Sequence, residues 1–379
     1  MRALRQAHRP LGLTDPALTT SAPTASALTG PAPTGAAGSG VRVALDLMGG
    51  DRAPEAVVDG ALLALDEQPG LEVVLVGRPD VATALLAERG AAGRCAVAAA
   101  SQVVGMDEDP ARAVRSKRDA SVRVAARLVR DGGAQAMVSI GSTGAALAAA
   151  VFTLGRLRGV ARPALAAVIP AKAGPLVFLD AGASVEATPD LLAQWALAGV
   201  ALARVRLGID EPRVGLLTIG EEAGKGDLLR RQAHELLSAL PVRYVGSVEG
   251  RDVPYGGVAD VVVTDGFTGN VLAKGLEGAA AMLTEVLLAA FGATPERAEA
   301  ARVLRPALAE VTDVMSPDAF GGGVLLGVKG VCVVGHGASS PRAVASCLAV
   351  AAQAAAEGLV PSTETALADL LERRAQVAG

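Results

Sequence analysis

Short apolar runs alternate with longer amphipathic segments along most of the chain. Runs of strand length lie at residues 41–47, 71–76 and 136–140, and residues 189–206 and 270–291 carry apolar side chains at helical spacing. Further strands are predicted at residues 164–169, 176–179, 213–219, 258–264 and 331–334. Because continuously apolar strands that alternate with helices are typically buried on both faces, the pattern predicts an α/β fold with a mostly parallel sheet between two layers of helices.

Two stretches need a separate interpretation. Residues 132–155 include no charged side chain, but the glycines and hydroxyls in the middle of this stretch are unusual for a membrane span. The stretch is therefore predicted to form a strand, a tight loop and a buried helix. Residues 270–315 have the pattern of two successive helices, which predicts a helical excursion from the sheet.

The first 40 residues differ from the rest in composition. Ala, Gly, Pro, Ser and Thr supply 28 of them, and such a segment buries too little apolar surface to offset the entropy of ordering. We therefore expect a disordered Ala/Pro/Thr-rich tail at residues 1–40 and one α/β domain at residues 41–379. Pro10, Asp15 and Pro16 interrupt the apolar run that a signal peptide would need.

Composition and charge argue against several classes of function. The chain has 35 Lys and Arg against 39 Asp and Glu, a net charge of −4, and its aromatic content is 2%. A nucleic-acid binder needs a basic face and aromatic side chains that stack on bases, so no nucleic-acid partner is expected. Cys95, Cys332 and Cys347 form no CxxC pair, which argues against a disulfide framework or a zinc site and favours the reducing cytoplasm.

Six of the predicted strands end in small polar loops that contain glycine. The loops span residues 48–54, 141–144, 180–184, 220–226, 265–270 and 335–340. Ligands of open α/β sheets bind at the carboxyl ends of strands, where glycine allows close approach and the next helix presents free N–H groups to an anion. Each loop taken alone is more often an ordinary turn, but the six together predict a cleft that handles phosphate.

Residue usage supports an anion site but supplies no familiar catalytic signature. The five lysines lie in or near glycine-containing or capping segments, where a compact ammonium suits a phosphate: Lys117, Lys172, Lys225, Lys274 and Lys329. The sequence has no GxSxG elbow, no dinucleotide fingerprint and no Walker A spacing around its lysines. No cofactor and no metal are predicted, and a phosphate that is itself the nucleophile would need no nucleophilic side chain.

Eight motifs stand out in order along the chain. They are VALDLMGGDRAPE at 43–55, DPARAVRSKRDAS at 109–121, SIGSTGA at 139–145, GLLTIGEEAGKG at 215–226, VEGRD at 248–252, TDGFTGN at 264–270, FGGGVLLGVKG at 320–330 and GHGASS at 335–340. As a set they closely resemble the bacterial phosphate acyltransferase family of phospholipid synthesis. The resemblance runs from about residue 41 to residue 357.

The resemblance implies a Rossmann-like fold related to phosphotransacetylases and isocitrate dehydrogenases, and a cytoplasmic homodimer. It implies an acyltransferase that moves a long fatty acyl group from acyl carrier protein to inorganic phosphate and gives acyl phosphate. The product would feed a membrane glycerol-3-phosphate acyltransferase, with peripheral contact to the membrane. Two positions depart from the family, since Arg52 stands where histidine is usual and Ser142 where asparagine is usual. No general base is therefore assigned at Arg52.

The attack of phosphate on a thioester suggests roles for the loop residues. Lys225 and Lys274 are predicted to stabilise charge. Asp46 and Asp265 end their strands and are predicted to orient a cation or a phosphate proton, although a capping or loop-bracing role suits each of them equally. His336 would protonate the departing sulfur, or is a hydrogen-bonded loop residue. The other candidates are predicted to bind phosphate or substrate: Asp46, Gly49, Gly50, Asp51, Lys117, Ser142, Thr143, Gly144, Gly266, Asn270, Gly337, Ser339 and Ser340.

The sequence leaves several alternatives open. Transfer from a short-chain acyl-CoA would need a smaller acyl pocket, and a non-catalytic scaffold for acyl carrier protein or lipid would need no reaction site. The apolar residues 279–291 would form an acyl groove, a dimer face or a membrane contact. The basic residues near 115–127 suit an acidic carrier protein, although a solvated helix face has the same pattern.

Overall fold

The computed structural model describes residues 40–220, 222, 224–315 and 321–378. Residues 1–39, which make up nearly all of the predicted tail, lie outside the described residues. The described residues form an 11-stranded sheet with helices on both faces. The predicted α/β fold with a mostly parallel sheet is therefore confirmed.

The sheet has the strand order β3-β2-β1-β4-β11-β10-β5-β6-β9-β7-β8. Its strands, in chain order, are β1 Val41–Asp46, β2 Leu71–Gly77, β3 Ala96–Ala99, β4 Ala136–Ser139, β5 Ala164–Ile169, β6 Leu176–Leu179, β7 Arg213–Thr218, β8 Arg243–Glu249, β9 Val261–Val263, β10 Gly323–Leu326 and β11 Val331–Val334. The sequence pattern did not predict β3, β8 and β10. Two of these, β3 and β8, are edge strands, and both contain exposed positions, so they lack the continuous apolar run of the central strands.

Three antiparallel pairings lie at the centre of the sheet: β11 with β10, β10 with β5, and β5 with β6. The other pairings are parallel. Because an odd number of reversals separates β11 from β6, the two parallel halves of the sheet run in opposite directions. The carboxyl ends of β1, β4 and β11 lie at one of the two borders of the sheet that are formed by strand ends, and those of β6, β7 and β9 lie at the other. We refer to these two borders as the edges of the sheet. The six glycine loops are therefore divided between two edges, whereas the sequence analysis expected them in one cleft.

The connections between strands are mostly helical. The helices are α1 Glu55–Glu67, α2 Pro79–Glu88, α3 Pro110–Ser116, α4 Ser121–Arg130, α5 Thr143–Ala149 with a π-helical turn Ala150–Leu154, α6 Pro189–Leu207, α7 Leu228–Ser238, α8 Gly266–Phe291, α9 Pro295–Met315, α10 Pro341–Ala356 and α11 Leu359–Ala378. Side-chain caps explain where several begin. Ser142, Asp227, Asp265 and Ser340 each accept a hydrogen bond from the backbone N–H three residues later.

Helices cover both faces of the sheet. On the first face, Val57 of α1, Trp195 of α6 and Leu348 of α10 belong to one buried cluster. On the second face, α3, α4 and α5 share a cluster that Leu165 of β5 joins, and α8 packs on another that Ile169 of β5 joins. Because residues four apart on a strand point to the same face, α5 and α8 lie on one side of the sheet.

A cleft separates α5 from α8, and the central strand β5 forms its floor. Leu165, Ala167 and Ile169 face this side and are only partly buried, whereas Ala164 and Ala166 face the other side and are inaccessible to solvent. The half-buried positions mark a strip of sheet that no helix covers completely. The antiparallel centre of the sheet thus supplies a groove between its two parallel halves.

The predicted helical excursion is present as α8 and α9, which span residues 266–315 apart from a short connection. In α8 the buried residues are Gly266 and Gly269, and the rest of the 26-residue helix is at least partly exposed. No single helix among the described residues is long and apolar enough to cross a membrane, and one bent pair, Pro341–Ala356 with Leu359–Ala368, passes that test only jointly.

Candidate functional site

The loops that follow β1, β4 and β11 meet at one edge of the sheet, and we call them group A (residues 47–54, 140–144 and 335–340). The backbone N–H of Asp51 donates to the carbonyl of Gly337 at 2.8 Å. A Cβ placed on Gly49 would lie 2.9 Å from the backbone nitrogen of Gly141. The loops are therefore in backbone contact, and a side chain at Gly49 would separate them.

Three helices begin in group A: α1, α5 and α10. The hydroxyls of Ser142 and Ser340 cap α5 and α10 by accepting from Ala145 and Ala343. Each helix start carries partial positive charge, and first-turn N–H groups such as those of Thr143 and Gly144 have no acceptor within their own helix. Group A therefore offers backbone donors and three converging helix dipoles to an anion.

His336 brings an exposed imidazole to group A. Its Nδ1 accepts a hydrogen bond from the backbone N–H of Ala338 at 3.2 Å. Ser339 fixes the same turn, because its hydroxyl donates to the His336 carbonyl at 2.5 Å. With Nδ1 acting as an acceptor, the proton of the neutral ring resides on Nε2. The exposed ring therefore has an Nε2–H that is available as a hydrogen-bond donor.

Asp46, at the end of β1, holds the loops of group A in place. Its carboxylate is buried, and it accepts from the Ser139 hydroxyl at 2.8 Å and from the Met48 N–H at 3.2 Å. Burial raises the pKa of Asp46, and hydrogen bonds from Ser121, Ser139 and the backbone oppose that rise. Of the two roles expected for Asp46, bracing is the one that these contacts support, because the carboxylate ties the end of β1 to β4.

Lys117 holds a covering loop rather than presenting a free ammonium. Its Nζ donates to the Val103 carbonyl at 2.7 Å and to Glu108 Oε1 at 2.5 Å. The hydrogen bond from Lys117 also lowers the pKa of Glu108. The loop so fixed contains Met106, whose Cε lies 3.3 Å from the position of a Cβ on Gly337. Lys117 therefore contributes to group A by positioning its outer wall.

The loops that follow β6, β7 and β9 form a second set at the opposite edge, and we call their described residues group B (residues 180–184, 219, 220, 222, 224–226 and 264–270). Asp180 is inaccessible to solvent, and its carboxylate accepts from four backbone N–H groups, those of Leu165, Gly182, Ala183 and Ser184, at 2.7 to 3.0 Å. Burial raises the pKa of Asp180, against the effect of these hydrogen bonds. Asp180 joins the central strand β5 to group B.

Sequence reasoning missed Arg230, a cation of α7 that is mostly buried against group B. Its side chain is 11% exposed and forms an ion pair with Asp265, which is 9% exposed. Arg230 Nη2 also donates to the hydroxyls of Thr264 and Thr268, each at 3.1 Å. Burial by itself raises the pKa of Asp265, but hydrogen bonds from Thr268 and the charge of Arg230 outweigh it and lower the pKa. Asp265 is thus both the cap of α8 and the partner of a buried cation.

The predicted cations of group B are more exposed. Lys225 is 53% exposed, and its Nζ lies 3.9 Å from Glu222 Oε2. Lys274 lies two turns into α8, where its Nζ donates to Glu277 Oε2 at 2.6 Å. Asn270 packs against Gly182, since its Cγ is 3.2 Å from the position of a Cβ there, and Gly266 approaches Asp180 in the same way. The structure therefore brings Asp265, Gly266 and Asn270 together and leaves Lys274 in a surface ion pair.

The predicted site residues therefore fall into two separate sets. Asp46, Gly49, Gly50 and Asp51 lie in group A with the residues after β4 and β11, and Lys117 stands behind them. Lys225, Asp265, Gly266 and Asn270 lie in group B. Within the described part of the chain, no cluster of three or more His, Cys, Asp and Glu side chains has the arrangement of a metal site.

The chain is similar to known proteins over most of its length. The family model described as "Fatty acid synthesis protein" matches residues 41–361. A phosphate acyltransferase of Desulfitobacterium hafniense (strain DSM 10664 / DCB-2) is 43% identical over 320 residues, 84% of this chain and 96% of the relative. A phosphate acyltransferase of Myxococcus xanthus (strain DK1622) is 46% identical over 329 residues, 86% of this chain and 93% of the relative.

Solved structures share the fold at much lower identity. A phosphotransacetylase from Streptococcus pyogenes superposes with a TM-score of 0.55 at 18% identity, over 84% of this chain and 94% of that one. A branched-chain phosphotransacylase from Enterococcus faecalis V583 gives 0.53 at 17%, over 83% of this chain and 99% of that one. These two likenesses establish the architecture of the sheet and its helices.

The Arg230–Asp265 pair is expected to be important for the stability of group B. Arg230→Met leaves a mostly buried carboxylate without its cation, which typically costs about 3 kcal/mol or more in the free energy of unfolding. Arg231→Met is the matched control, because Arg231 is exposed and donates only to the Gly226 carbonyl at 2.9 Å. Its loss should cost less than about 1 kcal/mol. Urea titration measures both, and equal losses would contradict the assignment.

Proposed function

The chain belongs to the fatty acid synthesis protein family, and we propose that it transfers a long fatty acyl group from acyl carrier protein to inorganic phosphate. Relatives named phosphate acyltransferase support the reaction class. The observation that carries the proposal is group A, where three helices begin beside close-packed glycines and the exposed imidazole of His336, an arrangement that offers several donors to a small oxyanion. The products are acyl phosphate and the free thiol of the carrier.

The proposed reaction proceeds by direct attack. An oxygen of bound phosphate forms a bond to the thioester carbonyl carbon, and the backbone N–H groups at the start of α5 stabilise the oxyanion that develops. The carbon–sulfur bond then breaks, and the sulfur leaves as a thiolate that accepts a hydrogen bond from Nε2–H of His336 and takes its proton from solvent. No side chain forms a covalent intermediate, and the resemblance implies no cofactor.

A donor comparison tests the proposal. The protein is incubated with phosphate and, separately, palmitoyl carrier protein, palmitoyl-CoA and acetyl-CoA, and the free thiol released is measured. We expect phosphate-dependent release from palmitoyl carrier protein. Release from acetyl-CoA alone would indicate short-chain transfer, and binding of the carrier without any release would indicate a scaffold.

We expect His336 to affect turnover more than Lys225 does. His336→Ala removes the Nε2–H donor and should lower kcat/KM for phosphate by about a hundredfold, as loss of one hydrogen-bond donor to developing charge commonly does. The sequence singled out Lys225 to stabilise charge, but Lys225 lies in group B at the other edge of the sheet. Lys225→Ala should therefore lower kcat/KM by less than about tenfold. The reverse ranking, in variants with unchanged melting temperature, would move the phosphate to group B.

The exposed face of α8 supports a proposal about assembly. Met282, Leu283, Val286, Leu287 and Leu288 lie close together on this helix, and each is more than half exposed. A contiguous apolar face of this kind is usually covered by a partner. We propose that a second copy of the chain covers it, and that the resulting dimer works in the cytoplasm with at most peripheral contact to the membrane that receives acyl phosphate.

Charged substitutions should separate a dimer face from a lipid contact. Leu287→Glu with Leu288→Glu is expected to give a monomer in light scattering after size-exclusion chromatography, because two carboxylates would have to be desolvated in the interface. Tyr255→Glu is the control, since Tyr255 is 64% exposed and lies outside α8. If the double variant remains a dimer but no longer sediments with liposomes, the face contacts lipid instead.

A further inference from the structure

A cavity of about 650 Å³ opens in the cleft beyond the end of α5. Its apolar wall includes Leu147, Val151 and Phe152, and its opposite wall includes Pro163, Ala183 and Ser184. A space of this size and character is in the range that proteins use for small organic ligands. The group A mechanism leaves this cavity without a role.

One face of the α5 segment connects the cavity to group A. Thr143, Leu147 and Val151 are spaced four residues apart, so they form a stripe along the helix, and all three are half-buried. The continuous helical segment Thr143–Leu154 is about 18 Å long at the usual rise per residue. Group A lies at its first residue and the cavity at its last turn. The stripe, which is apolar at Leu147 and Val151, therefore leads from the proposed phosphate site to the cavity, and an extended pantetheine arm has a comparable length.

Basic residues surround the cavity end of this track. Arg156 and Arg162 line the cavity and are exposed, and the guanidinium carbon of Arg115 lies 4.5 Å from the centre of the Phe152 ring. Residues 112–162 carry ten basic and two acidic side chains, a net charge of +8 in a chain of net charge −4. The remaining residues therefore carry −12. Such a local excess of positive charge attracts an acidic partner and orients it during encounter.

We propose that Arg115, Arg156 and Arg162 form the docking rim for an acidic carrier protein, and that its pantetheine arm passes through the cavity along the Thr143–Leu147–Val151 stripe to group A. The proposal rests on the proposed function and assigns it a route. The orientation follows from charge. The arm joins the carrier through a phosphodiester, which belongs at the arginines, and it ends in the thioester, which belongs beside the phosphate.

Charge reversal at the rim tests the docking surface. The variant Arg156→Glu with Arg162→Glu should raise KM for palmitoyl carrier protein, and Kd for the same carrier in a calorimetric titration, by about tenfold or more. KM for S-palmitoyl-pantetheine, which has no carrier and no phosphodiester, should change by less than about twofold, and the salt dependence of carrier binding should weaken. Arg78→Glu with Arg94→Glu is the matched control: it makes the same change in net charge at exposed positions, one immediately before α2 and one before β3.

Filling the cavity tests the route of the arm. Val151→Trp and, from the opposite wall, Ala183→Phe should each slow transfer from both donors about tenfold or more. Their melting temperatures identify whichever variant keeps the fold. Wild-type rates in a folded cavity variant would overturn the route. Equal KM and Kd for the rim variant and its control would overturn the docking surface. If the wild type releases no thiol from any donor, the proposed function fails, and the calorimetric titration still decides the docking surface.

Discussion

The reversal of chain direction at the centre of the sheet is the constraint on which the rest of the structure depends. Because of the three antiparallel pairings around β10 and β5, the two parallel halves of the sheet run in opposite directions. Each half then presents the carboxyl ends of its strands, and the loops that follow them, at its own edge. Of these central strands, β5 has positions between α5 and α8 that are only half-buried. Two polar loop groups and one apolar groove therefore follow from a single feature of topology.

Buried carboxylates hold these loops to the sheet. Asp180 accepts a backbone hydrogen bond from β5 and three more from its own loop, and Asp46 links the end of β1 to Ser139 of β4. A buried carboxylate is costly unless it is hydrogen-bonded, and each of these has several donors. Glycines beside them allow the backbone to approach. The loops are therefore fixed by polar contacts within the scaffold, which leaves their outward N–H groups oriented for a ligand.

The sequence predicted which segments form buried strands and covering helices, but it did not predict the direction in which neighbouring strands run. Apolar runs such as residues 331–334 identify buried strands, but an apolar run has the same appearance whichever way its neighbour points. The antiparallel centre, and with it the separation of Lys225 from Ser142, could not be predicted in this way. Lys274 was predicted to stabilise charge, and in the structure it pairs with Glu277, which lies one turn away in the sequence. The only local sequence indication of an ion pair at Arg230 is its spacing of three from Asp227. Its main partner, Asp265, is 35 residues distant in the sequence and could not be identified from local spacing.

An enzyme that transfers an acyl group from a long thioester to a small phosphate dianion must bind both substrates next to each other. The anion needs converging donors, which helix starts supply, and the donor arm needs an extended apolar path, which a helix flank supplies. The segment Thr143–Leu154 provides both, because its first turn opens into group A and its half-buried stripe leads to the cavity. Ser142, at the junction, caps the helix. The geometry that binds phosphate in the proposed reaction is in this way continuous with the geometry that brings the acyl donor to it.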